Sequence, residues 1–120
     1  MGVQDEFPPV ILDADATQKF VEIEVQWGDG ELGKSSVLVR GIASADLHYD
    51  AAAPTIRQLR EACIPARVVG GGRIKHDSEA HVILVYGYSM DYGQPNFTRV
   101  VDLCQEAYPD YFVIGSPQGY

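Results

Sequence analysis

Positive charge is scarce in this chain of 120 residues: 9 lysines and arginines stand against 17 aspartates and glutamates, for a formal net charge of −8. A field of that sign repels nucleic-acid phosphates and anionic lipid, so we expect neither nucleic acid nor a membrane as a partner. Long apolar runs are also missing, and residues 1–9 (MGVQDEFPP) lack the basic and apolar segments of a signal peptide. These absences predict a soluble, cytoplasmic protein.

Candidate metal ligands are few and poorly spaced. The two cysteines, Cys63 and Cys104, fit no ligand pair and lie in stretches with helical periodicity, where small buried thiols are common. The histidines His48, His76 and His81 match no metal-ligand motif either, and the last two flank an expected turn where we expect them to be solvated. We therefore predict no metal, no cofactor and a reducing compartment.

The chain does contain enough apolar material for one core. Hydrophobic residues make up 46% of it, an amount that suits one domain and is too small for two. No linker, repeat or low-complexity segment divides the sequence. We expect residues 1–120 to form a single domain, and the protein to be a monomer.

Alternation of apolar and polar residues predicts the strands. Lys19–Trp27 alternates with the period of a half-buried strand that has one wet face, and Val37–Val39 resumes after a turn-rich segment, so the two form a hairpin. Arg67–Lys75 and Val82–Tyr88 are predicted as two further strands joined by a turn. The three glycines at 70–72 predict a bulge or a close backbone approach.

Helical spacing of apolar residues predicts two helices. The first covers Ala51–Cys63 with Asp50 as its N-cap; the second begins after the N-cap Asn96 and ends before Pro109. Short strands are predicted at the two ends of the chain, at Val10–Leu12 and Tyr111–Ile114. The fold class is therefore α+β: a mixed sheet of about five to six strands with two α-helices, one on each face or both on one.

The segment Gly28–Ser35 (GDGELGKS) satisfies the pattern of a phosphate-binding P-loop. That pattern works only when a helix begins at the lysine, because the helix aims its N–H groups at the phosphates. Here Ser36–Val39 alternates like a strand, so a hairpin loop is the better interpretation. A P-loop nucleotide binder stays as the least favoured alternative.

A stronger anion site is predicted between Val85 and Gly93 (VYGYSMDYG), where a strand breaks at Ser89 shortly before the second helix. The carboxyl end of a strand and the amino end of a helix offer unpaired N–H groups and a positive dipole. His48 stands in a loop ahead of the first helix, and its imidazole exchanges protons near neutral pH. Simple ordering of the elements, however, puts these two loops at opposite ends of the sheet.

Four motifs extend along most of the chain in order: Arg40-Gly41 with His48 eight residues after the arginine, GGGRIKH at residues 70–76, YGYSMDYG at 86–93 and YPDY at 108–111. In these motifs the chain resembles the Janus, or protein histidine phosphatase, family. The resemblance implies metal-independent removal of phosphate from phosphohistidine, with phosphohistidine-containing proteins and phosphate as binding partners.

Carried onto this sequence, the resemblance implies His48 as the catalytic group, with its role as general base or nucleophile left open. It also implies a set of residues that contact or support the phosphoryl group, namely Lys19, Arg40, Arg73, Ser89, Met90 and Asp91. Asp91 departs from the small residue expected there, and its carboxylate would repel phosphate if it pointed inward. A phosphohistidine-binding module without turnover is therefore the main alternative.

Overall fold

The computed structural model describes residues 3–28 and 34–116. A short 3-10 helix at Val3–Glu6 precedes six strands and two α-helices. Their bounds are β1 Val10–Ile11, β2 Thr17–Trp27, β3 Lys34–Ile42, α1 His48–Glu61, β4 Ala66–Asp77, β5 Val82–Tyr86, α2 Phe97–Ala107 and β6 Phe112–Ser116. The strands form one sheet in the order β1-β3-β2-β4-β5-β6, parallel at both edges and antiparallel in the centre. The predicted α+β fold is confirmed.

The two helices lie on opposite faces of the sheet. Side chains of alternate residues in β2 pack into two separate hydrophobic cores. Val21 and Ile23 pack with Leu59 beneath α1. Phe20 packs with Cys104 beneath α2. All of these side chains are at most 1% exposed, so shortening one of them would cost about 2–5 kcal/mol. The two faces will be called the α1 face and the α2 face. No helix within the described ranges has the length and apolarity to cross a membrane.

Helix α2 covers part of the face of β2 that was predicted to be wet; the prediction is wrong at Phe20 and Glu22, whereas Glu24 and Gln26 are partly exposed. Glu22 is 1% exposed; its carboxylate accepts hydrogen bonds from Asn96 N at 2.7 Å and from Arg99 Nε at 3.0 Å. Asn96 also caps α2 as predicted, since its Oδ1 accepts from Arg99 N. A buried carboxylate therefore ties the start of α2 to the sheet, which alternation alone does not reveal.

Helix α1 begins earlier than predicted. Its N-cap is Leu47, and Asp50 lies inside the first turn, where its carboxylate accepts from Leu47 N at 3.2 Å. The helix ends at Glu61, and Cys63 follows in the left-handed region at φ 59°, exposed rather than buried in a helix. The other thiol, Cys104, is buried in α2 as expected, and burial raises its pKa to about 12.

The glycine run in β4 allows backbone from elsewhere to lie against the sheet, as predicted. A Cβ on Gly70 would lie 2.6 Å from the carbonyl oxygen of Gln94, and one on Gly72 would lie 2.5 Å from that of Tyr86. The pairing of β2 with β4 also shifts register after Glu22, next to this run. Residues with side chains would push the neighbouring segments away, so the run sets the position of the loop that follows β5.

In the segment with the P-loop pattern, residues 29–33 lie outside the described residues. Lys34 begins β3 and pairs with Trp27 of β2, so a strand and not a helix follows the lysine. The predicted hairpin is confirmed. A P-loop needs a helix start that directs successive N–H groups at the phosphates, and the strand that begins at Lys34 does not provide it.

Candidate active site

Gly71 is the floor on which two distant parts of the chain meet. A Cβ at this position would lie 3.0 Å from Cδ2 of His48 and 3.3 Å from Cβ of Ser89, so both side chains cover the same glycine on the α1 face. Helix α1 starts over the middle of β4, and the loop after β5 folds back until Gly71 N donates to Gly93 O at 3.2 Å. This arrangement unites the two loops that the order of elements had separated.

His48 is the first residue of α1 and is 5% exposed, so it is not the exposed loop histidine that the sequence predicted. Its Nε2 lies 2.9 Å from Gly72 O. Because a carbonyl can only accept, Nε2 carries the proton and Nδ1 keeps its lone pair in the neutral ring. Nδ1 is thus the atom of His48 that is able to take a proton or attack an electrophile.

The surroundings of His48 favour its neutral form. Burial lowers the pKa of His48, the charges of Lys19 and Arg73 lower it further, and the hydrogen bond to Gly72 and the charge of Asp91 act in the opposite direction. A neutral imidazole near pH 7 is the form that a general base or a nucleophile requires.

Two of the predicted cations lie side by side near His48. Lys19 of β2 and Arg73 of β4 are cross-strand partners, and both lie on the α1 face beside Gly71. Two like charges on adjacent strands repel each other, unless an anion lies between them. Their positions, together with their effect on His48, are those expected of a site that receives phosphate.

Arg40, by contrast, lies beneath α1 and is 4% exposed. Its Nε donates to Thr55 Oγ1 at 3.1 Å and a terminal nitrogen donates to Val39 O at 3.0 Å; burial lowers its pKa to about 10. It is paired with Val21, close to Lys19, as the hairpin predicted. These contacts make Arg40 a support for the position of α1.

Ser89 closes the loop after β5 into a tight turn. Ser89 and Gly93 exchange two backbone hydrogen bonds, of 3.1 and 2.8 Å, and Ser89 Oγ accepts from Tyr92 N at 3.1 Å. The loop can reverse because Gly87 and Gly93 have φ values of 75° and 84°, which glycine adopts without strain. The serine hydroxyl uses its oxygen for Tyr92, so its hydrogen is available to donate to a ligand.

The tip of this turn consists of Met90 and Asp91. The Met90 side chain is 82% exposed, and within the described part of the chain the N–H groups of both residues donate to no acceptor. Adjacent N–H groups of a turn bind an anion when both point towards it. The Asp91 carboxylate acts electrostatically on His48 and on Tyr92, so its charge lies close to both side chains.

The helix dipole at this site comes from α1 and not from α2. The amino end of α2 faces the Glu22 carboxylate on the opposite face of the sheet, so the predicted seat of phosphate at that helix is wrong. The amino end of α1 begins at His48 instead, which brings the positive end of its dipole to the candidate site.

Comparison with known proteins agrees with this geometry. A family model described as the Janus/Ocnus family matches residues 4–112. The chain belongs to the Janus/Ocnus family. It is 34% identical over 118 residues to the 14 kDa phosphohistidine phosphatase of Sus scrofa, a match that covers 96% of this chain and 94% of the relative.

Of two further relatives, one has the same name and the other a different one. The 14 kDa phosphohistidine phosphatase of Homo sapiens is 33% identical over 116 residues, covering 94% of this chain and 93% of the relative. The sex-regulated protein janus-A of Drosophila melanogaster is 31% identical over 113 residues, covering 94% and 82%. The resemblance inferred from the four motifs is therefore confirmed over nearly the whole chain.

The other histidines of this Janus/Ocnus chain lie apart from the candidate site. His76 is buried, contrary to the prediction, because its ring nitrogens lie 3.2 Å from Asp13 O and 3.2 Å from the Tyr111 hydroxyl. His81 is exposed and stacks on the Tyr111 ring at 5.0 Å. Across residues 3–28 and 34–116, no three His, Cys, Asp or Glu residues are grouped to hold a metal ion.

Two surface cavities flank the candidate site of this family member. One of about 120 Å³ is lined by Lys19 and Arg73, and one of about 290 Å³ begins at Tyr49 and Tyr92 and continues along α1. Sequence reasoning named the side chains of the site but missed Gly71 as its floor and the Gly72 carbonyl as the partner of His48. The glycine run at 70–72 was the signal for both.

Proposed function

We propose that this chain is a protein phosphohistidine phosphatase that hydrolyses the P–N bond of phosphohistidine without a metal. The observation that carries the proposal is the meeting of His48 and Ser89 over Gly71, with Lys19 and Arg73 beside them. The names of the two mammalian relatives support the same reaction. Phosphoryl transfer needs little beyond charge stabilisation and correct placement, and these residues offer both.

In this proposal the phosphoryl oxygens lie between the two cations and the Ser89 turn. Lys19 and Arg73 neutralise negative charge, the Ser89 hydroxyl donates one hydrogen bond, and the N–H groups of Met90 and Asp91 donate two more. Arg40 supports the site from beneath α1 through Thr55.

His48 then acts through Nδ1 in one of two ways. As a general base it takes a proton from water while the water oxygen bonds to phosphorus; the P–N bond breaks, and His48 passes the proton on to the leaving imidazole. As a nucleophile Nδ1 bonds to phosphorus while the P–N bond of the substrate breaks and the leaving imidazole takes a proton from solvent; water then hydrolyses the phospho-His48 and releases phosphate. Phosphate label retained on protein quenched in alkali during turnover would identify the second route.

A second candidate function is binding of phosphohistidine without turnover, and Asp91 is the observation that favours it. Its carboxylate acts on His48 and raises the pKa of that ring, against the effect of the cations. A like charge beside the phosphoryl group weakens the stabilisation of the transition state. The two candidates differ in one measurable product, inorganic phosphate.

The proposal extends to the setting of the reaction. We propose one domain over residues 1–120 that acts as a cytoplasmic monomer on phosphohistidine-containing proteins. The two thiols support a reducing compartment, since Cys63 and Cys104 are both free. Nucleotide binding by residues 28–35 is not proposed, because a strand begins at Lys34 where a P-loop needs a helix.

The test is phosphate release from a phosphohistidine peptide by wild type, His48→Ala and Lys19→Ala, with each fold checked by circular dichroism. His48→Ala should lose about a hundredfold to ten-thousandfold in kcat. Lys19→Ala should mainly raise KM, because its charge attracts the phosphoryl group in the ground and transition states alike. Lys34→Ala, which removes an exposed charge from the start of β3, is the matched control and should change neither constant.

Two results would contradict the proposal. Wild-type turnover in a folded His48→Ala variant would remove His48 from the reaction. Binding of the peptide by wild-type protein without phosphate release, in the presence and absence of EDTA and divalent ions, would replace the phosphatase by the binding module.

A further inference from the structure

A groove extends from the candidate site along α1, and three arginines line it. The cavity of about 290 Å³ begins at Tyr49 and Tyr92. Beyond them its wall carries Arg57 and Arg60 from α1 and Arg67 from β4. Its floor consists of small and branched apolar residues, Ala52, Ala53, Ile56, Ala66 and Val68. Arg57 and Arg60 supply its positive charge, because Arg67 is the cross-strand partner of Glu24 and its guanidinium pairs with that carboxylate on the α2 face.

The groove is continuous with the residues proposed to bind the phosphoryl group. Tyr49 directly follows His48, and Tyr92 N donates to Ser89 Oγ at 3.1 Å. The two tyrosines lie close enough for Tyr49 to affect the pKa of Tyr92, which burial raises. A peptide whose phosphohistidine lay over Gly71 would thus reach the groove within a few residues.

The groove also keeps most of its positive charge. No carboxylate is among the residues that line it in the described structure. Arg67 pairs with Glu24 through a bond of 3.0 Å, between side chains that are 75% and 38% exposed. Arg57 and Arg60 are three residues apart on α1, so they project from the same side of the helix. Their charge stands out against the net charge of −8 for the whole chain.

We propose that this groove binds an acidic segment of the substrate protein next to its phosphohistidine, and thereby selects substrates. The inference rests on the proposed phosphatase function and specifies its substrate class. Arg57 and Arg60 would pair with carboxylates, and the apolar floor would pack against the stems of the same side chains. The acidic residues would lie about four to six positions from the phosphohistidine: Arg57 and Arg60 follow His48 on a helix that rises about 1.5 Å per residue, and an extended chain advances about 3.3 Å per residue.

The experiment compares phosphohistidine peptides that differ only in their flanks, with glutamates or alanines at those positions on either side. Wild type should prefer one glutamate peptide by about three- to tenfold in kcat/KM, chiefly through KM, as expected of partly exposed ion pairs. The double variant Arg57→Gln/Arg60→Gln should lose that preference and should hydrolyse the alanine peptide at the wild-type rate. Arg57→Lys/Arg60→Lys keeps the charge and should keep most of the preference.

Lys34→Gln controls for the overall loss of positive charge, because it removes an exposed cation from another strand end. The inference would be overturned if Lys34→Gln lost the preference for the glutamate peptide as fully as the double variant does. It would also be overturned if Arg57→Gln/Arg60→Gln kept that preference. Absence of any preference in wild type would overturn it as well. Light scattering gives the oligomeric state of both proteins. If wild type is a dimer and the double variant is a monomer, the groove binds a second copy of the chain instead.

Failure of the proposed function gives a different result. If wild type hydrolyses neither peptide, the phosphatase proposal fails, and the groove is then tested by fluorescence anisotropy with the unphosphorylated glutamate peptide. Binding that requires Arg57 and Arg60 would support the groove as an acidic-segment site. Binding that the double variant retains, or no binding at all, would overturn it.

Discussion

The two faces of the sheet place charge under a helix in opposite ways. On the α2 face, the buried Glu22 carboxylate accepts from both Arg99 and Asn96, so its charge is balanced within the protein. On the α1 face, Lys19 and Arg73 are cross-strand neighbours of the same sign beside a buried histidine. A balanced charge holds an element in place, whereas an accumulation of one sign in a partly buried position is suited to a ligand of the other sign.

The largest expected effect comes from removing the buried ion pair on the α2 face. Glu22→Gln removes the charge that holds Arg99 and should lower the free energy of unfolding by about 3 kcal/mol, because it leaves buried groups without their partner. Glu24→Gln is the matched control: its pair with Arg67 is largely exposed and should contribute less than about 1 kcal/mol. Urea unfolding measures both. Equal losses would show that burial of the Glu22 pair has no energetic consequence.

The next largest effect comes from disrupting the candidate active site while the Glu22–Arg99 pair stays intact. Gly71→Ala would place a Cβ 2.7 Å from Phe20 O and 3.0 Å from the His48 ring, so the backbone of β2 must shift and His48 must move by a few tenths of an ångström. We expect kcat/KM on a phosphohistidine peptide to fall about a hundredfold, because small displacements of reacting groups cost this much. Circular dichroism and the midpoint of urea unfolding show whether the fold is retained. A folded Gly71→Ala variant with wild-type kcat/KM would contradict the assignment of Gly71 as the floor of the site.

A smaller effect concerns the pH dependence that the cations impose on His48. The pKa of His48 in the folded protein is lowered from 6.5 by burial and by Lys19 and Arg73. We therefore expect kcat/KM to be unchanged down to pH 6.5 and to fall about tenfold per pH unit only below the pKa of His48. In Lys19→Ala this acidic limb of the pH profile should move to higher pH. A limb that stays in place would show that Lys19 does not act on His48.

The same shift has a consequence for stability. Because the folded pKa is lowered, the unfolded chain binds the proton more readily, and the contribution of His48 to stability is complete above pH 6.5 and is lost as the pH falls through the folded pKa. In His48→Asn this part of the acid dependence should disappear. A parallel pH dependence of the unfolding free energy in wild type and variant would contradict it.

The smallest expected effect tests the negative charge of Asp91 beside the candidate site. Asp91→Ala should relieve repulsion of the phosphoryl group and lower KM by about threefold, since the carboxylate is exposed and solvent screens it. Asp46→Ala removes another exposed carboxylate from the loop before α1 and is the control. A KM that is unchanged in Asp91→Ala at both low and high salt would show that the carboxylate points away from the phosphate.

Much of the fold could be predicted from local pattern. Alternation located β2 and the hairpin with β3, and the apolar stripe with Asn96 and Pro109 located α2 within a few residues. The start of α1 was missed because its N-cap, Leu47, has no polar side chain to signal it. Burial of Glu22 and His76 was missed for a related reason: each depends on partners from distant segments, Arg99 for the first and Tyr111 for the second.

The sequence by itself determined the chemistry available to this protein: a histidine, several cations, a serine turn and a run of glycines, in the order of the Janus/Ocnus family. Only the tertiary structure decided that His48 and Ser89 meet over Gly71, that Nδ1 of His48 keeps its lone pair, and that α1 supplies the dipole. The physical reason is that a local pattern sets which face a side chain takes. Strand register and the backbone approach at residues 70–72 set which distant side chains share that face.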